Sequence, residues 1–545
     1  MNLFGIIREK KKVFVLLLAI IALGIFLRTY HYSDLLRFGK DQARDASIVH
    51  NIIEKKEPLP LLGPKAGGTD FQMGPVFYYF QYASASIFGA TPDKMAYPDL
   101  LFSILTIPLL FLFLRKYLNT NISLALTALF AVSFFAVQNG RFAWNPNSLP
   151  FFSLLFLYAF LQLAETAKNK KLWWSLILGF ALGIGAQLHT LFILIASVIF
   201  ILFCAYLIRK KNLKIKWAVL VIAVALLFNI PQIISEIQTK GSNTKAFFQG
   251  ITQKTTFKHP FPKNIMYDGA WHLQANTLFV APIGDDTSLH ITSLADSFKD
   301  NEKGIAGITK YLPDLLRIVF GIALTLGGYF LLGFYLKKEK DVSKKMFLQL
   351  LSLYIAAAFF VMIPLSFVLE LRYFLIVQFV PFLLLGLLIK FFREKYGQTG
   401  LRLSLIVILL LCGLNIYKVA SEFNSFLNRD GDVGIAIWSE EKFAGEFILA
   451  HTQPEQDVHM VFEPAEADKF IRPLAYFDEN IDAPLEHNDD TPLEDSNVAY
   501  FSLILDGRKG KDTFKRNLKK SDLYIISDSA TYGRLAIYKL ELKEK

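Results

Sequence analysis

The chain has 545 residues, of which 53% are hydrophobic, 14% aromatic and only 19% charged. That balance excludes an ordinary soluble protein of this length and marks a polytopic membrane protein. The formal net charge is +11, yet the basic residues stand in short runs between apolar stretches, where they read as topology signals and not as a nucleic-acid surface.

In chain order, "REKKK" (8–12) precedes "VFVLLLAIIALGIFL" (13–27). No small-residue cleavage site follows, so this is expected to be a retained first span. Ten more apolar runs cover 98–114, 122–138, 148–163, 172–188, 191–208, 217–234, 311–336, 346–367, 373–388 and 403–419, which makes eleven expected spans. Cys204 and Cys412 both lie inside such runs, leaving the polar regions without a thiol for a disulfide or a thiolate metal site.

A further apolar run, "GPVFYYFQYASASIFG" (74–89), is assigned by charge. If it crossed, the basic linkers at 115–116, 168–171, 209–216, 337–345 and 390–395 would all lie opposite the basic N-terminus. If it lies at the surface, every one of them shares the cytoplasm with that N-terminus. An amphipathic helix at or dipping into the outer surface is therefore expected. The resulting topology is a multi-pass cell (plasma or inner) membrane protein with a cytoplasmic N-terminus. A first extracytoplasmic loop with juxtamembrane helices spans 28–97, and a long one spans 235–310. The transmembrane domain covers 1–419, and 420–545 forms a small extracytoplasmic domain. The latter shows strand-like runs "DVHMVFE", "VAYFSLIL", "DLYIISD" and "LAIYKLEL" and helical patterns "EEKFAGEFILAH" and "ADKFIRPLAYF", the signature of an α/β unit. It carries no glycine-rich phosphate loop, nucleophile elbow or HExxH, so no catalysis is assigned to it.

Chemistry-bearing residues gather on the outer side. In "RFGKDQARDAS" (37–47), Asp41 and Asp45 are four apart, interleaved with Lys40 and Arg44. Helical spacing puts both acids on one face, just after the first span. Spacing alone fits equally a solvated helix start favoured by the macrodipole, or a general base, Asp41, with Asp45 as a second acceptor or a metal ligand. Two carboxylates are too few for a hard cation, and His259, His272 and His290 have no zinc-ligand spacing, so no metal site or other cofactor is supported. Arg141 and Arg372 are lone cations at the outward ends of spans. Each alone fits a snorkelling side chain, Arg372 with Glu370 as partner. Together, on the side that holds Asp41, they fit a phosphate or pyrophosphate. His189, at a hairpin tip in "GIGAQLHTLFIL", is either structural or a hydrogen-bonding contact to phosphate or sugar. "GPKAGGTDFQMGP" (63–75) lacks the lysine-serine ending of a P-loop and is read as a mobile loop over a site, with Lys65 and Asp70 as contacts.

The order of these pieces resembles the membrane-embedded type C glycosyltransferases, and most of all family 39, which includes protein O-mannosyltransferases and the lipid A aminoarabinose transferase. The first span is followed by "FGKDQARDASIVHNIIEKKEPLPLLGP" and "MGPVFYYFQYASASIFG". The pieces "NGRFAWNPNSLPFFSLLF", "GIGAQLHTLFILIAS" and "ELRYFLIVQFVPFLLLGLL" come later. The likeness runs over about 13–388, and the tail adds nothing to it. It implies an α-helical membrane fold in which an inverting transfer moves a sugar from a polyprenyl-phosphate donor to a lipid, glycan or protein hydroxyl. Asp41 matches the acidic position of the first outer loop and is implied as base. Arg372, followed by Tyr373, would hold the leaving phosphate with Arg141 and His189, while Lys40 and Arg44 are surface or phosphate-facing charges. Two departures stand out: Asp41-Gln42 where many relatives have Asp-Glu, and Met73-Gly74-Pro75 where the aminoarabinose transferase has Lys-Pro-Pro, which leaves that lysine's phosphate contact to Lys65. The alternatives are a multi-span transporter, against which stand spans nearly free of charge, and a membrane sensor or scaffold with a partner-binding tail.

Overall fold

In a bilayer each backbone N–H and C=O has to be satisfied within its own segment, so the apolar runs are compelled to be helical. The computed structural model describes residues 3–254, 260–283, 305–428, 435–453, 456–462, 468–478, 481, 497–505 and 508–543. His259 and His290 lie outside the described residues.

The long helices are α1 (Leu3–Thr29), α2 (Lys40–Ile53), α3 (Val76–Phe88), α4 (Tyr97–Leu114), α5 (Thr120–Val132), α6 (Leu149–Glu165), α7 (Lys171–Leu188), α8 (Thr190–Arg209), α9 (Ile215–Phe228), α10 (Ile230–Gln238), α11 (Ser242–Lys254), α12 (Phe261–Val280), α13 (Ile305–Lys338), α14 (Val342–Met362) and α15 (Val380–Leu427). Among the described residues eight helices are long and apolar enough to cross a membrane, or nine if the pair α9 and α10, bent by 67°, counts as one. The chain is a multi-pass membrane protein. The gap from eleven expected spans has local causes. α5 stops short of a full span at Ser133, where Asn415 accepts the Phe134 N–H at 2.8 Å and the Ser133 hydroxyl donates to the Phe279 carbonyl at 2.7 Å. The runs at 373–388 and 403–419 merge into α15 across a break at Gly397 (φ 59°, ψ −134°), a left-handed conformation that glycine adopts without steric cost. The run at 74–89 is the helix α3, packed on α2, α4 and α7.

The tail forms helix α16 (Trp438–Ala450) and a four-stranded sheet of β1 (Asp457–Met460), β2 (Val498–Leu505), β3 (Tyr524–Tyr532) and β4 (Leu535–Leu542), in the order β1-β2-β4-β3. β1 and β2 are parallel and the other pairs antiparallel. A basic helix, α17 (Arg508–Ser521), covers the face opposite α16. Its sequence carries too few apolar residues to signal a helix. The tail is joined to the membrane domain by backbone pairing: Phe38 N–H donates to Ala436 O at 3.0 Å and Trp438 N–H to Leu36 O at 2.8 Å. Around that seam Phe38 packs edge-on against Trp438 (4.9 Å) and Tyr476 (5.5 Å). These contacts fix the start of α2.

Candidate active site

α2 opens at Gly39, whose N–H is capped by Gln42 Oε1 at 3.1 Å. Gln42 therefore closes the helix start, a use that a Gln at the third helical position serves well. With the helix so begun, Asp41 is half-exposed while Asp45 is buried, its side chain 2% exposed. Asp45 Oδ1 accepts the Tyr78 hydroxyl at 2.9 Å, and Arg44 at 2.9 Å (Nε) and 2.8 Å (Nη2). Arg44 Nη1 reaches on to Asp41 Oδ1 at 3.1 Å. The two acids of the motif thus differ in kind: Asp45 anchors the guanidinium from behind, and the guanidinium positions Asp41. Burial pushes the Asp45 carboxyl up to about 6, while Arg44 and the Tyr78 hydroxyl pull it down. Burial and that same carboxylate hold the Tyr78 hydroxyl well above the usual phenol range, so it stays a donor.

Asp41 and Arg44 line a cavity of about 140 Å³ with Lys65, Trp144, Asn145, His189, Arg372 and Tyr373. Each reaches it by a separate device. Lys65 sits on a short hairpin closed by Gly63 N–H to Met73 O (2.7 Å) and Ala66 N–H to Phe71 O (2.8 Å). The loop expected over the site is thus a paired turn, tied by the Asn243 side chain to both the N–H and the C=O of Gln72 (2.8 and 2.9 Å). Asp70 is not in the cavity and pairs with Lys65 at 3.3 Å. His189 Nδ1 accepts Leu191 N–H at 3.2 Å, capping α8 and leaving the proton of the neutral ring on Nε2. Tyr373 packs edge-on against that ring at 5.7 Å. Arg372 lies 5.4 Å from both the Trp144 and Tyr373 rings, with Glu370 at 3.0 Å. Three cations against one lining carboxylate make a site suited to an anion.

Arg141 is not in this cavity. Its guanidinium donates to four carbonyls at the C-terminal end of α1, those of Leu27 (3.1 Å), Arg28 (3.0 Å), Tyr30 (2.8 Å) and His31 (3.3 Å). It also stacks 4.5 Å over Phe423. A cation there satisfies the orphan carbonyls of a helix end, which accounts for an arginine in that turn without any ligand. Tyr78, Trp144, Asn145 and Gln187 were not singled out from the sequence. Gln187 accepts Val76 N–H at 3.2 Å and crowds Gly74, where a Cβ would lie 2.2 Å from it, and Asn145 donates to Leu188 O at 2.8 Å. Among the described residues no three His, Cys, Asp or Glu side chains come together as metal ligands.

Directly beside the polar cavity, sharing Ala66 and Thr190 with it, lies an apolar one of about 310 Å³ walled by Phe71, Leu191, Leu194, Phe247, Phe360 and Leu365 among others. A charged pocket beside an apolar one fits an amphiphile with an anionic head.

The structure is similar to that of ArnT from Cupriavidus metallidurans bound to undecaprenyl phosphate, with a TM-score of 0.52 and 11% identity over 96% of this chain and 97% of that one. The fold is that of the type C glycosyltransferases. This type C likeness extends past the stretch legible in sequence, since the ArnT match takes in the tail as well. The family model for dolichyl-phosphate-mannose-protein mannosyltransferases matches residues 72–234, a stretch that includes Trp144, Asn145 and His189 of the cavity. The Archaeoglobus fulgidus oligosaccharyltransferase in complex with Zn and sulfate is also similar, at TM-score 0.49 and 14% identity over 85% of this chain and 61% of that one. So is the Saccharomyces cerevisiae protein O-mannosyltransferase Pmt1-Pmt2 complex bound to the sugar donor, at 0.33 and 16% over 42% and 33%. No curated protein matches the chain by overall sequence.

Proposed function

We propose that this chain is an inverting glycosyltransferase that moves a sugar from a polyprenyl-phosphate donor to an acceptor hydroxyl at the outer face of the cell membrane, with its N-terminus cytoplasmic and its C-terminal domain outside. The observation that carries the proposal is the pairing of cavities: Asp41, Arg44, Lys65 and Arg372 around the polar one, beside an apolar one of about 310 Å³ suited to the start of a prenyl chain. ArnT, whose fold this chain shares, was solved with undecaprenyl phosphate.

In this mechanism the donor phosphate sits between Arg372 and Lys65. Asp41 accepts the proton of the acceptor hydroxyl as its oxygen attacks the anomeric carbon from the face opposite the phosphate. The bond from that carbon to the phosphate oxygen breaks, its electron pair leaves with the polyprenyl phosphate, and the two cations offset the charge that develops there. Arg44, held by Asp45, which Tyr78 braces in turn, keeps Asp41 in place. The acceptor is a lipid, a glycan or a protein.

The test is incubation of the purified chain with a panel of radiolabelled polyprenyl-phosphate sugars and membrane extract. Label is expected to move to an acceptor. Asp41→Asn is expected to slow transfer roughly 100- to 10,000-fold, the usual contribution of a positioned base. Transfer by Asp41→Asn at the wild-type rate would remove Asp41 from the mechanism, and no transfer of any labelled sugar by wild type would remove the donor class.

A further inference from the structure

At the other end of the bundle is a cavity of about 600 Å³, lined by Arg115, Tyr117, Asn119, Lys344, Lys390, Arg393 and Glu394 with the side chains of Leu118 and Ile122. It lies at the C-terminal end of α4, whose N-terminal turn holds Asp99, the acceptor of the Trp144 N–H on the active-site side. The 18 residues of α4 separate the two ends by about 27 Å at ~1.5 Å per residue. This is the end that the basic linkers assign to the cytoplasm.

We propose that this cavity binds a phosphate-bearing anion, of the kind presented by an anionic phospholipid headgroup, independently of the site around Asp41. Four cations from three distant segments converge there against one lining carboxylate. That carboxylate is already engaged, since Glu394 takes Lys390 at 2.6 Å and the Tyr335 hydroxyl at 2.9 Å. Lys390 is wedged against the Tyr335 ring at 4.0 Å, which fixes it at the cavity wall. Among the described residues no carboxylate lies within ion-pair distance of Arg115, Lys344 or Arg393. Tyr117 is 4% exposed and its hydroxyl has no hydrogen-bond partner. The Glu339 carboxylate stands close to that hydroxyl.

A pure topology signal needs only positive charge somewhere in the linkers. It does not need four charges from three segments to meet in one concavity. Two flanking helices, α5 and α14, also begin at this rim and add the positive ends of their dipoles. The ligand that matches is a phosphate ester, whose oxygens suit the guanidinium forks of Arg115 and Arg393, with Leu118 and Ile122 beside them for the first carbons of a lipid.

The experiment is native mass spectrometry of the full chain in neutral detergent with phosphatidylglycerol, phosphatidylcholine or inorganic phosphate. The double variant Arg115→Ala/Arg393→Ala and the separate variant Arg372→Ala are compared with wild type. Wild type is expected to retain phosphatidylglycerol at least tenfold over phosphatidylcholine. The double variant should lose that preference, Arg115→Lys/Arg393→Lys should keep most of it, and Arg372→Ala should leave it unchanged. If inorganic phosphate displaces the lipid and raises the Tm of wild type but not of the double variant, the phosphate chemistry stands and the natural source includes soluble phosphate. Equal retention of both lipids, undiminished retention by the double variant, or loss through Arg372→Ala alone would each overturn the proposal.

Discussion

Tyr78→Phe isolates the device that holds Asp45. The hydroxyl donates a 2.9 Å bond to Oδ1 inside the protein, and Phe removes it without changing the ring. A hydrogen bond to a charged buried acceptor contributes about 1.5–3 kcal/mol. At about 1.36 kcal/mol per pH unit, its loss raises the Asp45 pKa by about one to two units. The native carboxyl already stands at about 6, so in the variant it titrates near neutrality. Protonated Asp45 no longer anchors Arg44 by charge, and Arg44 then positions Asp41 less well. In the labelled-sugar transfer assay, wild type is expected to lose activity as pH falls through about 6, and Tyr78→Phe to lose it as pH falls through roughly 7 to 8 while approaching the wild-type rate at higher pH. Fold stability should not follow the same limb. A carboxyl whose folded pKa is raised favours the folded state in its protonated form, so acidification through that range protonates Asp45 without destabilising the chain through this group. An unshifted limb in Tyr78→Phe, or a limb matched by a parallel fall in Tm, would refute the Tyr78–Asp45–Arg44–Asp41 chain of control.

Arg372→Ala should raise the donor KM about ten- to a hundredfold with a smaller effect on Tm, because the guanidinium lies over Trp144 and Tyr373 at the cavity wall and not in the packed core; steady-state kinetics against Tm separates the two. Arg141→Met should do the reverse, costing about 1–3 kcal/mol of stability by leaving buried carbonyls without their donor, with the donor KM of the surviving folded protein near wild type. Trp438→Ala should lower kcat without abolishing folding of the sheet domain, since it loosens the aromatic seam at the start of α2; retained circular dichroism with reduced transfer is the expected pair of results.

What the sequence disclosed about the site depended on whether a residue's partner was near it in the chain. Asp41, Arg44, Lys65, His189, Arg372 and Tyr373 converge on one cavity, and all but Tyr373, which only the family resemblance indicates, stand out by charge or polarity in an outward segment. Arg141 bears the same mark in an equally plausible turn, yet its partners are the last carbonyls of α1, more than a hundred residues earlier. No local pattern separates an arginine that caps a helix from one that awaits a phosphate, because both occur where apolar helices end. Tyr78 failed for the opposite reason. Within "VFYYFQY" it looks like one more interfacial aromatic, and only the crossing of α3 over α2 brings its hydroxyl to Asp45.

The tail carries the same lesson into architecture. Alternating apolar residues announce its strands, and β1, β2 and β4 fall within those runs while β3 begins in its run and continues four residues past it, to Tyr532. Nothing in that alternation tells what the sheet does for the rest of the molecule. Its contribution lies in two backbone hydrogen bonds and a cluster of rings at the first residues of α2, a few positions before Asp41. A helix that starts at a glycine with a borrowed cap from Gln42 has little intrinsic rigidity at its N-terminus. Clamping Phe38 between Trp438 and Tyr476 supplies what the local sequence lacks. The sheet domain therefore bears on the geometry of Asp41 without contributing a side chain to the cavity that Asp41 lines.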